Sequence, residues 1–102
     1  MATADLTVIG VGRPDASAGD AIAEIQRRLA AQDKVGYRLH AMGTSLEGST
    51  EDILALVGGL HRVPFELGLP RVYTVLKLDE RRDVEQGLDD KVRSVEERLS
   101  QD

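Results

Sequence analysis

The chain has 102 residues, 41% hydrophobic and 30% charged, with a formal net charge of −5 and no cysteine. That length and balance fit one globular domain spanning residues 1–102, with a single core, and not a disordered chain. The acidic charge argues against general affinity for nucleic acid or anionic lipid, and the lack of cysteine excludes disulfides and thiolate metal sites.

Residues 4–12, ADLTVIGVG, read as a strand with Leu6 and Val8 on one face and Thr7, Ile9 and Val11 on the other. Gly10 and Gly12 loosen its end, and Arg13-Pro14-Asp15 is loop chemistry. Ser17 is the expected cap of a first helix, with Ala18, Ile22, Ile25 and Leu29 as its apolar stripe and Gly36 just past its end. Tyr37 to Met42 alternates as a second strand, in which Arg38, His40 and Met42 share a face. Gly43-Thr44 is the expected bend, and Ser45-Leu46-Glu47 a short third strand.

Ser49 or Thr50 caps a second helix carrying Ile53, Leu56, Val57, Leu60 and Val63 at helical spacing. Gly58-Gly59 and Pro64 are unfavourable inside it, so a kink or a loosened turn is expected near Pro64, with an end by Gly68. Pro70 to Leu78 is the strongest strand, with Val72, Thr74, Leu76 and Leu78 on one face and Tyr73, Val75 and Lys77 on the other. A last helix from about Leu88 to Leu99 has a narrow seam of Leu88, Val92, Val95 and Leu99.

The order of elements implies an α+β class: a ferredoxin-like βαββαβ antiparallel sheet with an extra C-terminal helix. Leu6, Val8, Leu39, Leu76 and Leu78 are expected under the helices. The opposite face would carry Ile9, Val11, Met42, Tyr73 and Val75, which is greasy for a sheet in water, and no spare element is left to cover it. Pairing of sheets in a symmetric homo-oligomer is therefore expected.

Chemistry is sparse. The two histidines, His40 and His61, form no metal-ligand spacing and have no evident acid partner, and no serine lies in a nucleophile motif. No metal, cofactor or catalytic set is expected. Residues 10–19, GVGRPDASAG, lack the spacing of a phosphate loop. The start of the chain lacks a basic region followed by a long apolar stretch, and no apolar run approaches the ~20 residues that span a bilayer, so a cytoplasmic location without membrane contact is expected.

MGTSLEG at 42–48, RVYTVLKLDERRD at 71–83 and LDDKVRSVEERL at 88–99 together resemble the small thiamine-binding protein family, whose members also bind the hydroxymethylpyrimidine part of thiamine. The match covers nearly the whole chain, departing from the family pattern where Gly10 replaces a frequent proline and where Gly58-Gly59 and Pro64 interrupt the second helix. The resemblance implies ferredoxin-like subunits paired through their sheets, commonly into tetramers, with the ligand between subunits. It implies a non-catalytic binding site for thiamine or its pyrimidine. Thr44 and Glu47 would supply polar contacts, Ile9, Val11 and Met42 apolar walls, Tyr73 a ring face, and Lys77 a phosphate contact or a neutralising charge for Glu47. The alternative expectation is a structural or regulatory oligomerisation module with no small-molecule ligand.

Overall fold

The computed structural model describes residues 1–12 and 18–101. The expected loop at Arg13-Pro14-Asp15 and the Ser17 cap lie outside the described residues. The elements run β1 (Ala2–Val11), α1 (Ala18–Ala30), β2 (Gly36–His40), β3 (Gly43–Gly48), α2 (Thr50–His61), α3 (Val63–Glu66), β4 (Arg71–Glu80) and α4 (Leu88–Ser100). The four strands form one antiparallel sheet in the order β2-β3-β1-β4. This is the ferredoxin-like arrangement with an added C-terminal helix.

Register assigns the faces. Ala4 lies opposite Leu46 and Leu78, and Leu6 opposite Thr44 and Leu76, so these residues share the face that α1 and α2 cover. The core follows from that pairing: Leu6, Ile25, Leu29, Leu46, Ile53, Leu60 and Val63 are buried. Leu76 and Val8 pack at its margin. Leu39 and Leu78 lie on the same face but stay 52% and 40% exposed, because β2 and β4 are the edge strands and the helices sit over the centre.

The second helix breaks where proline predicts. α2 is capped by Ser49, whose hydroxyl accepts from the Asp52 N–H at 3.1 Å. It stops at His61, and a single turn, α3, restarts with Pro64 in its first positions, where a missing N–H costs nothing. Gly68, with φ of +91°, ends the segment. Gly58 and Gly59 face open space.

Two local expectations are corrected. Gly36 does not cap α1; it opens β2, and the α1–β2 connection is held by Gln32 instead. The Gln32 carboxamide donates to the Leu29 and Val35 carbonyls at 2.9 and 2.8 Å and accepts from the Val35 N–H at 2.9 Å. The hairpin bend is Ala41-Met42, not Gly43-Thr44. Gly43 is a strand residue, and it is glycine because a Cβ there would lie 2.5 Å from the Leu6 carbonyl oxygen and 2.9 Å from Thr7 Oγ1.

The other face of the sheet is divided. At one end α4 begins against it: Thr3 is only 5% exposed, and the Leu88 N–H donates to Glu47 Oε2 at 2.8 Å. Arg38–Asp89 at 2.7 Å and Lys91–Asp79 at 2.5 Å tie the same helical turn to β2 and β4. At the other end Ile9, Val11, Tyr73 and Val75 form an uncovered apolar patch, with Ile9 directly opposite Tyr73 and Thr7 opposite Val75. The rest of α4 leaves Val92, Val95 and Leu99 exposed.

Candidate functional site

An apolar concavity lies between α1 and the ends of β1, β2 and β3. It has a volume of about 300 Å3. Its walls are mostly apolar: Val8, Ile22, Ile25, Leu39, Met42 and Leu69. Thr7, Gln26, His40 and Thr44 bring polar side chains to it, and two of these are bonded to each other, Gln26 Nε2 donating to Thr44 Oγ1 at 3.1 Å. The cleft exists because α1 does not reach the edge strand β2, which leaves Leu39 and Ile22 half-exposed across a gap.

The hairpin rim of the cleft is fixed by side chains. The Met42 carbonyl accepts from Thr7 Oγ1 at 3.0 Å, and the Met42 N–H donates to His40 Nδ1 at 3.3 Å. The other nitrogen, His40 Nε2, bonds Asp5 Oδ1 at 2.8 Å. That makes His40 the Nε2–H tautomer, with both nitrogens engaged. His40 therefore has an acid partner after all. It is two strands away, and is reached across β3 because the β3 residues beside the pair on that face are the small Gly43, opposite His40, and Ser45, opposite Asp5. With Nδ1 turned to the Met42 backbone, the ring cannot serve Ser45 as a base.

The structure brings together three of the seven residues singled out in the sequence. Ile9, Met42 and Thr44 line the cleft. Met42 is not a face residue of β2 but the second residue of the turn, and it is 80% exposed. Thr44 is not at the edge of the open face. It lies opposite Leu6 on the helix-covered side and is only 5% exposed. Glu47 is three positions further along the strand and so projects to the opposite side, where it holds the start of α4. Thr44 and Glu47 thus cannot contact one ligand from a common face.

Val11 and Tyr73 stand on the open apolar patch, and Lys77 lies opposite Asp5, further along the same face. None of the three lines the cleft. Gln26 escaped the sequence reading because it looks like an ordinary polar residue of an amphipathic helix. Its position one residue after Ile25 and three before Leu29, at the edge of the buried stripe, was the available signal.

Gly10, at the departure from the family pattern, sits on the helix side against Leu69 and Pro64. A Cβ there would overlap the Leu69 side chain, which forms part of the cleft wall. Among the described residues, no cluster of three or more His, Asp or Glu side chains is placed to hold a metal ion, and no helix is long and apolar enough to cross a membrane.

Known proteins share this sequence and architecture along almost their full length. A UPF0045 protein from the glkA 3′ region of Staphylococcus xylosus is 41% identical, over 98% of this chain and 96% of its own. The UPF0045 protein YqgV of Bacillus subtilis is 37% identical, over 97% and 98%. A crystal structure of a hypothetical protein from Methanocaldococcus jannascii superposes with a TM-score of 0.83 at 28% identity, covering 94% of this chain and 96% of that one. A Thermotoga maritima protein described as a candidate for thiamine biosynthesis or salvage shares the fold, with a TM-score of 0.76 at 20% identity over 92% and 97%. The family model described as thiamine-binding protein matches residues 4–96. The chain belongs to the thiamine-binding protein family.

Proposed function

We propose that the protein binds thiamine or its hydroxymethylpyrimidine moiety without catalysis, in the cleft between α1 and the β2–β3 hairpin. The observation that carries this reading is the convergence of Ile9, Met42 and Thr44 on one apolar cleft in a chain of this family. An aminopyrimidine ring is flat and largely apolar, with a donor amine beside ring-nitrogen acceptors, and the cleft offers apolar walls with a hydroxyl and a carboxamide. The engagement of both His40 nitrogens by structural partners supports binding without catalysis.

The protein works as a homo-oligomer in this reading, paired through the patch of Ile9, Val11, Tyr73 and Val75, with a tetramer as the expected assembly. Ile9 belongs to both the patch and the cleft wall, so a second copy seated on the patch would meet the mouth of the cleft. Val11, Tyr73 and Lys77 would then act from the interface side and not from the floor of the pocket. The acidic net charge suits the cationic thiazolium of thiamine. A cytoplasmic protein is in keeping with these features.

Isothermal titration with thiamine and with the free pyrimidine tests the reading. Saturable binding and a rise in melting temperature are expected. Absence of both at millimolar ligand refutes it and leaves a ligand-free oligomerisation module.

A further inference from the structure

We infer that Gln26 makes the cleft selective for a 4-aminopyrimidine over its 4-oxo counterpart, an inference that rests on the thiamine reading above. Gln26 is half-buried on α1, and its Nε2 donates to Thr44 Oγ1 at 3.1 Å. A hydroxyl that accepts one bond keeps its proton to give, and a carboxamide that gives one N–H keeps its carbonyl oxygen to accept. No described residue bonds to Gln26 Oε1 or receives the Thr44 proton. The pair therefore presents a donor, the Thr44 O–H, beside an acceptor, Gln26 Oε1, in the wall of a mostly apolar cleft whose other polar side chains, Thr7 and His40, are bonded to the Met42 backbone and Asp5.

That order complements one ring edge. A 4-aminopyrimidine offers an amine donor next to a ring-nitrogen acceptor, so the amine meets Gln26 Oε1 while the ring nitrogen meets the Thr44 hydroxyl. The 4-oxo ring offers a carbonyl acceptor next to an N–H donor, which sets acceptor against acceptor and donor against donor. The apolar walls do not distinguish the two rings, which have nearly the same shape. Discrimination falls on the two polar contacts, because buried groups left unpaired are what reject an analogue. Selectivity depends on the orientation of the carboxamide. Turned by half a rotation, it would accept the Thr44 proton and offer its N–H groups to the 4-oxo ring.

The test is titration calorimetry of the full chain with thiamine and with oxythiamine, its 4-oxo analogue, repeated on Gln26→Leu and Gln26→Glu. The unmodified protein is expected to bind thiamine roughly tenfold or more tightly than oxythiamine. Gln26→Leu should weaken thiamine by about tenfold and bring the ratio of the two ligands toward one. Gln26→Glu cannot donate to Thr44 and instead accepts from the Thr44 hydroxyl, which leaves no donor for the ring nitrogen, so it should weaken thiamine as well. Equal binding of the two ligands by the unmodified protein overturns the inference while leaving the thiamine reading in place, and needs no variant to fold. Unchanged thiamine affinity in a folded Gln26→Leu also overturns it. Failure of the unmodified protein to bind thiamine removes the underlying reading instead.

Discussion

Replacing Glu47 with alanine separates its structural contact from a role in the ligand site. Glu47 Oε2 accepts the Leu88 N–H at 2.8 Å, at the positive end of α4, and the carboxylate also packs against Gly87. Loss of a side-chain acceptor at a helix N-terminus costs about 0.5–2 kcal/mol. The other attachments of this turn are surface ion pairs, Arg38–Asp89 and Lys91–Asp79, worth less than about 1 kcal/mol each. No residue of α4 is fully buried, so little apolar contact is left to hold it. A loss near 1.5 kcal/mol corresponds to about a tenfold rise in the detached population. Hydrogen exchange read peptide by peptide should show α4 amides losing protection by that factor while β1 is unchanged. Thiamine affinity should stay within about threefold. Unaltered exchange in α4 would refute the anchoring role. A large fall in thiamine affinity with α4 still protected would return Glu47 to the binding site.

Thr44→Val removes the hydroxyl and leaves Gln26 Nε2 without its partner, so thiamine binding should weaken by about tenfold in calorimetry with little change in fold by circular dichroism. Tyr73→Asp places a charge in the middle of the open patch and should lower the mass of the assembly in light scattering, while the unmodified protein stays oligomeric. Gly58→Ala and Gly59→Ala meet nothing and should each stabilise by up to about 1 kcal/mol, read as a higher urea midpoint. Glu24 receives hydrogen bonds from Arg27 and Arg28, and those guanidinium groups hold its carboxyl below the usual range. Its contribution is therefore present above the unfolded-state value and fades as pH falls through the lower folded one, so Glu24→Gln should flatten the acid side of the stability profile; an identical acid limb in both proteins would contradict this.

What the sequence disclosed and what it hid have separate physical causes. β1 and β4 were legible because each carries a run of apolar, aromatic and β-branched residues, Leu6 to Ile9 and Val72 to Leu76, and α2 because Ser49 and the acidic first turn mark its start. The break at Pro64 followed from the missing proline N–H. The corner at 41–44 misled because glycine was read as turn chemistry, whereas Gly43 serves close approach to the Leu6 carbonyl. Moving the bend to Ala41-Met42 makes Thr44 a paired strand residue, and pairing with Leu6 settles its side of the sheet. Gln26 and the Asp5–His40 pair depend on contacts 18 and 35 positions apart, which no local pattern records. The uncovered patch of Ile9, Val11, Tyr73 and Val75 followed from strand alternation, although Met42, expected on it, falls in the turn, and α4 covers the other end of that face.

One short strand, Gly43–Gly48, serves two surfaces at once. Its inward hydroxyl touches the hollow beneath the first helix, and its outward carboxylate moors the last one. The odd number of steps between them, from 44 to 47, is what sends the two groups to opposite sides. A shift or twist of that ribbon is shared by both fittings, so the last helix cannot be moored differently without the hollow being reshaped.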